Sequence, residues 1–179
     1  MGALESVWRA IANISKIVFN EMTKEQVMAL LMAGIDIISD YIERIVNDDD
    51  TIVSVFMSFS SIINNQYVNK TQFEETKLLS KCIDVLKTTN SDGWNCKCER
   101  TTVESIIFFD QCRCYKLFNE DSDYVRILPF LVCGMKTYQK NTRIRSTVLD
   151  FIQGACENMR NKKLIEKPAM EGLYAIFFL

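Results

Sequence analysis

The chain has 179 residues, 48% of them hydrophobic and 25% charged, with a net charge of −2. This composition fits one globular domain or a short run of repeats, excludes a disordered chain, and leaves no global field to draw it to nucleic acid or membrane. Histidine is absent, which removes the commonest general base, the usual partner of a nucleophilic Ser or Cys, and the commonest metal ligand.

The first twenty residues carry Glu5, Arg9 and Lys16 and no long apolar core, so they do not read as a secretory signal. Met1-Gly2-Ala3-Leu4-Glu5-Ser6 fits the N-myristoylation pattern at Gly2, but no polybasic patch follows to second such an anchor, and an ordinary start is the expectation. A first helix is expected over about 3–19. Thr23-Lys24-Glu25-Gln26 is a capping box, with Met22 and Val27 as its staple. It opens a helix over roughly 24–46 whose apolar face is Val27, Leu31, Ile35, Ile38, Ile42 and Ile45. Asp50 opens the next, to about 64, through Ile52, Phe56, Phe59 and Ile63. Val53, Val55, Met57 and Phe59 also alternate as a strand would, but the helical neighbours favour helix.

Thr71-Gln72-Phe73-Glu74 reads as a second box, opening about 71–89 with Leu79, Cys82 and Leu86 inward. The polar stretch over 88–100 reads as a surface insertion loop. Thr101-Thr102-Val103-Glu104 reads as a third box, opening about 102–118, where Ile106, Ile107, Phe108 and Phe109 go nearly round the axis and demand a middle layer. Tyr124, Leu128, Leu131, Met135 and Tyr138 mark a helix over about 123–139, and Ile144, Val148, Ile152, Ala155 and Met159 one over about 143–160. Pro168 suits the first turn of a last helix, about 168–178. With two prolines and six glycines in the whole chain, the expected fold class is all-α, with about eight helices. No stretch reaches the ~18 apolar residues of a membrane span.

Every second helix starts near 24, 71, 123 and 168, a spacing of roughly 45 to 52 residues against the ~40–47 of HEAT and armadillo arrays. The segment "ILPFLVCGMKTYQKNTRIRSTVLDFIQGACENM" resembles one HEAT repeat. Pro129 lies inside its first helix, Ile144-Arg145 opens its second, and Val148 and Ile152 follow; Asn141 stands where these repeats often carry Asp. The resemblance implies a short right-handed solenoid within a single domain, 1–179, with helix pairs at about 3–46, 50–89, 102–139 and 143–179. The alternative is a compact all-α bundle, since stacked pairs and bundles both bury two-faced helices. The apolar finish, including Leu173, Tyr174, Phe177 and Phe178, points to self-association or to continuation of the array.

Cys96 and Cys98 lie in the polar loop and are weak candidates for metal ligands. Cys112 and Cys114 do not complete the set, because residues i and i+2 of a helix lie about 200° apart. Seven cysteines and no signal imply reduced thiols and an intracellular protein, cytoplasmic or nuclear. No phosphate-binding glycine loop or nucleophile elbow occurs, and the expectation is no enzyme and no cofactor.

Lys136, Lys140, Arg143 and Arg145 span one turn, and Lys162 and Lys163 belong to a second basic run. These are the candidate partner-binding residues, for a protein or peptide with acidic character. The expected function is a non-enzymatic interaction scaffold. "DGWNC", from Asp92 to Cys96, resembles the central Gly/Trp motif of Bcl-2-like apoptosis regulators, which implies as the alternative a bundle with a helix-binding groove in apoptosis or host response. A zinc-thiolate domain resting on Cys96 and Cys98, or a nucleic-acid-binding domain resting on the basic turns, are further alternatives.

Overall fold

The computed structural model describes residues 6–11, 13, 22–64, 66, 68–87, 93–118 and 121–158. Every element among them is an α-helix. The chain divides into two compact units, Met1–Gly93 and Trp94–Leu179. Their boundary falls inside the stretch over 88–100 that the sequence marks as an insertion; residues 88–92 lie outside the described ones.

The first unit holds α1 (Lys24–Ile45), α2 (Asp49–Asn64), α3 (Lys70–Glu75) and α4 (Leu78–Leu86), preceded by helical residues 6–11. The Thr23–Gln26 capping box forms as expected, with both reciprocal bonds made. Val27, Leu31, Ile35, Ile38 and Ile45 are buried along one face of α1, which packs on α2 and α4. The helix kinks at Tyr41, where φ is −125° and ψ 21°. Two residues earlier the Ser39 hydroxyl donates to the Ile35 carbonyl at 3.0 Å, the kind of back-bonding that bends helices.

Helix α2 is the interior of this unit. Thr51 through Phe56 are all buried, and so are Ser58, Phe59, Ser60, Ile62 and Ile63. Burial over most of its circumference explains why its sequence also alternates like a strand: no wide polar face was required. Two of its serines return their hydroxyls to the helix, Ser54 to the Asp50 carbonyl at 2.9 Å and Ser58 to that of Ser54 at 2.7 Å. Trp8 docks fully buried, edge-on to Phe59 with centroids 5.5 Å apart, and its ring lies 3.0 Å from where a Cβ on Gly34 would sit.

The expected helix over 71–89 is two helices. Its start is capped two residues earlier, by an Asn69–Gln72 box in place of Thr71–Glu74. It breaks after Thr76, whose hydroxyl bonds back to the Phe73 carbonyl at 3.1 Å, and Lys77 turns left-handed at φ 53°.

The second unit holds α5 (Glu99–Cys114), α6 (Asp121–Thr137) and α7 (Thr142–Asn158). α7 packs against both of the others, most extensively against α5. Thr101-Glu104 is not a capping box: α5 starts three residues before its expected first residue, after Cys98, and Thr101 and Thr102 are buried in its first turns. Burial leaves their hydroxyls to the helix, as in the bond from Thr102 to the Cys98 carbonyl at 2.9 Å. Ile106, Phe108 and Phe109 are buried together, as a middle-layer helix requires. Phe109 stands edge-on to Phe130 at 6.0 Å, and Trp94 tilts against Phe130 at 5.6 Å. Phe118, Tyr124 and Phe151 form a second aromatic cluster with centroids 4.9 to 6.2 Å apart. Helix α6 runs through Pro129, which is exposed and has no amide hydrogen to donate to the preceding turn.

Candidate functional site

The four expected basic residues of the second unit come together on the turn between α6 and α7. Lys136 ends α6, Lys140 lies in the turn, and Arg143 and Arg145 open α7. Lys136, Lys140 and Arg143 are exposed and Arg145 half-buried. Between 136 and 145 there is no carboxylate in the sequence. Among the described residues none of the four makes an ion pair. The rest of the candidate set, Lys162 and Lys163, lies outside the described residues, as do Gly2 and Leu173, Tyr174, Phe177 and Phe178.

The turn is mounted firmly. Asn141 caps α7, its side-chain oxygen accepting from the Ile144 amide at 3.0 Å. Asn and Asp cap helices about equally well, so Asn141 serves here as an Asp would. The Asn141 amide also donates to Glu99 at the start of α5. The Tyr138 hydroxyl donates to the Cys96 carbonyl at 2.9 Å. Two bonds thus hold the basic turn against the segment leading into α5. The amino end of α7 adds its own positive potential to the cations.

Cys96 and Cys98 are not side by side in function. Cys98 is half-buried at the N-cap of α5, without a side-chain capping bond. Cys96 is only 5% exposed, and its acidity is linked to that of Cys133 on α6. The two thiols are driven apart in acidity. Cys133 is held well below the ordinary thiol range, first by the bond from Cys96, then by the Thr137 hydroxyl and the Lys136 charge, against the opposing effect of burial. Cys96, the donor, is pushed up by the same bond and by burial. Among the described residues no three Cys, Asp or Glu side chains gather as a metal site, so Cys96 and Cys98 gain no third ligand there. Cys112 is buried and Cys114 exposed, on opposite sides of α5 as the i, i+2 geometry requires. Cys133 was not legible as a partner, because its pairing is set by packing of α6 on the loop and by no local spacing.

A cleft of about 300 Å³ lies between α5 and α7, lined by Asp110, Arg113, Asp150, Gln153, Gly154 and Glu157. Arg113 is committed to Asp110, with Nη2 at 2.7 Å and Nε at 2.8 Å from the same oxygen. It lies flat across Gly154, where any Cβ would collide with it. Beside the cleft the Cys114 thiol donates to Asp110 Oδ2 at 3.9 Å and accepts from Arg113 Nη2 at 3.4 Å.

Compared with protein-family models, curated proteins and solved structures, the chain matches none. Among the described residues no helix is long and apolar enough to cross a membrane.

Proposed function

We propose that the chain is a non-enzymatic interaction scaffold of the helical-repeat kind, docking an acidic segment of a protein partner on the α6–α7 turn. One observation carries this reading: four cations on one rigidly capped turn, with no carboxylate among them in sequence and no ion pair among the described residues. Cations held without an ion pair on a fixed frame lose little conformational entropy on binding, which favours a partner of opposite sign. Helix pairs stacked as in HEAT arrays present their turns along one edge, which suits peptide docking. Seven cysteines, all present as thiols, fit a reducing, intracellular setting.

The test is fluorescence anisotropy with a labelled Glu-rich peptide, at low and at physiological salt. The triple variant Lys136→Glu, Lys140→Glu, Arg143→Glu is expected to weaken binding about tenfold or more and to flatten its salt dependence. Binding that the triple variant leaves unchanged, or absence of binding by the wild type, sinks the reading. Preference for an amphipathic apolar helix over the acidic peptide transfers the assignment to the helix-groove alternative. Preference for an oligonucleotide is expected to fail on the net charge of −2.

A further inference from the structure

We propose that Tyr41 is a phosphorylation site, the acceptor of a phosphoryl group that a protein-tyrosine kinase takes from a nucleoside triphosphate. Its side chain is 43% exposed, more than that of any other described tyrosine. Among the described residues its hydroxyl makes no hydrogen bond. Its backbone is not helical: φ is −125° and ψ 21°, in the body of α1. Around it Ser39, Asp40, Glu43 and Arg44 are exposed, and Ile42 is half-buried. A kinase must draw the acceptor and its flanking backbone into its own cleft, away from the helix. A segment whose helix is already interrupted, and whose side chains lie mostly in solvent, opens at low cost.

The other described tyrosines are not offered in this way. Tyr124 is buried beside Phe118 and Phe151. Tyr138 commits its hydroxyl to the Cys96 carbonyl at 2.9 Å. Tyr115 is 37% exposed, but it follows the end of α5 with the cations Arg113 and Lys116 close in sequence. Tyr41 instead lies among Asp36, Asp40 and Glu43, and Arg44 is the only cation in the sequence between residues 25 and 69. A stretch this acidic suits an enzyme whose substrate cleft is basic, because the charge match speeds encounter and orients the acceptor.

The Tyr41 oxygen attacks the γ-phosphorus of the nucleoside triphosphate. A bond forms between that oxygen and the phosphorus, and the bond from phosphorus to the oxygen bridging to the β-phosphate breaks. The hydroxyl proton passes to the carboxylate base of the kinase, and the nucleoside diphosphate leaves. The product carries a new anion beside Asp40 and Glu43. Arg44 stands over the Tyr41 ring, its guanidinium carbon 5.8 Å from the centroid, and is the one local counter-ion. One arginine does not balance a phosphate together with its neighbouring carboxylates, and their repulsion turns the phosphate toward solvent.

The experiment incubates the folded full chain with the catalytic domain of a broadly specific tyrosine kinase, ATP and magnesium, and maps phosphopeptides by mass over time. Phosphate is expected first and predominantly on Tyr41, and that incorporation is expected to vanish in Tyr41→Phe. Asp40→Asn with Glu43→Gln keeps the acceptor and removes flanking charge; it is expected to slow the reaction about threefold or more. Phosphate placed first on Tyr115, Tyr138 or any other tyrosine overturns the proposal. So does a folded chain left unmodified while a denatured sample of the same chain is labelled. A rate unchanged in the charge variant overturns the charge match on which the choice of enzyme rests. The wild-type map decides the matter even if a variant does not fold.

Discussion

The Tyr138 hydroxyl and the Cys96 carbonyl, 42 residues apart in sequence, are joined by a hydrogen bond of 2.9 Å. It is the fastening between the basic turn and the segment that carries the buried thiol. Tyr138→Phe keeps the ring and removes the donor. The unfolding free energy is expected to fall by about 1 kcal/mol, the usual net value of one such bond. Urea denaturation reads this directly, and an unchanged midpoint would show that the tether contributes nothing.

Gly134 is glycine because Thr102 is in the way. A Cβ there would sit 2.7 Å from the Thr102 methyl and 3.4 Å from Ile106 Cδ1. Alanine gains about 1 kcal/mol of helix propensity over glycine, while overpacking a close contact costs about 1–3 kcal/mol. Thr102 does not swing aside without loosening its bond to the Cys98 carbonyl, 2.9 Å long. Gly134→Ala is therefore expected to destabilise by about 1 kcal/mol net. Adding Thr102→Ser, which deletes the methyl and keeps the hydroxyl, should restore stability in thermal melts; a double variant no better than the single one contradicts the clash.

Helix α5 ends in a left-handed lysine. Lys116 has φ 55°, and the Leu117 amide reaches back to the Cys112 carbonyl at 2.9 Å, closing a Schellman turn. Glycine is the favoured residue there, since the left-handed region costs an L-residue about 1–2 kcal/mol. Allowing for the greater freedom of glycine in the unfolded chain, Lys116→Gly should stabilise by about 0.5–1 kcal/mol. Lys116→Ala retains the strain and should gain nothing. Equal effects from both would point to the loss of lysine charge instead.

Alkylation of Cys133 should follow its thiolate. The rate falls as pH drops through the thiol's own titration, and that titration lies below the ordinary thiol range because Cys96, Thr137 and Lys136 all favour the charged form. Cys96→Ala removes the largest of these causes and should move the midpoint of the pH–rate curve upward; Lys136→Ala should move it upward by less. Iodoacetamide labelling followed by mass spectrometry gives the curve. A downward shift in either variant is the opposite of what the geometry requires.

Helical class and apolar faces were legible wherever one period dominated. The stripes Val27–Ile45 and Ile144–Ala155 are buried almost residue for residue. Helix ends were less so, because several rest on unexpected residues. Lys77 and Lys116 break or close helices without a glycine, and Asn69 caps α3 in place of the more conspicuous Thr71. Thr101 and Thr102 have the composition of a cap but are buried inside α5, where the local pattern yields to packing. For the candidate site, the basic turn was visible as a run of cations. The link in acidity between Cys96 and Cys133 was not, since it joins the segment before α5 to helix α6 and has no local spacing.

Helix α2 has a consequence for how the first unit breathes. Most of its residues are buried, and Ser54 and Ser58 bond inward to their own helix. Local fraying gives solvent little purchase on such a segment. Its amide protons should trade with deuterium only when the unit opens as a whole, making α2 the slowest clock in that unit. The exchange free energy measured there would be the stability of the unit itself, against which local openings at the Lys77 break and the Tyr41 kink can be timed.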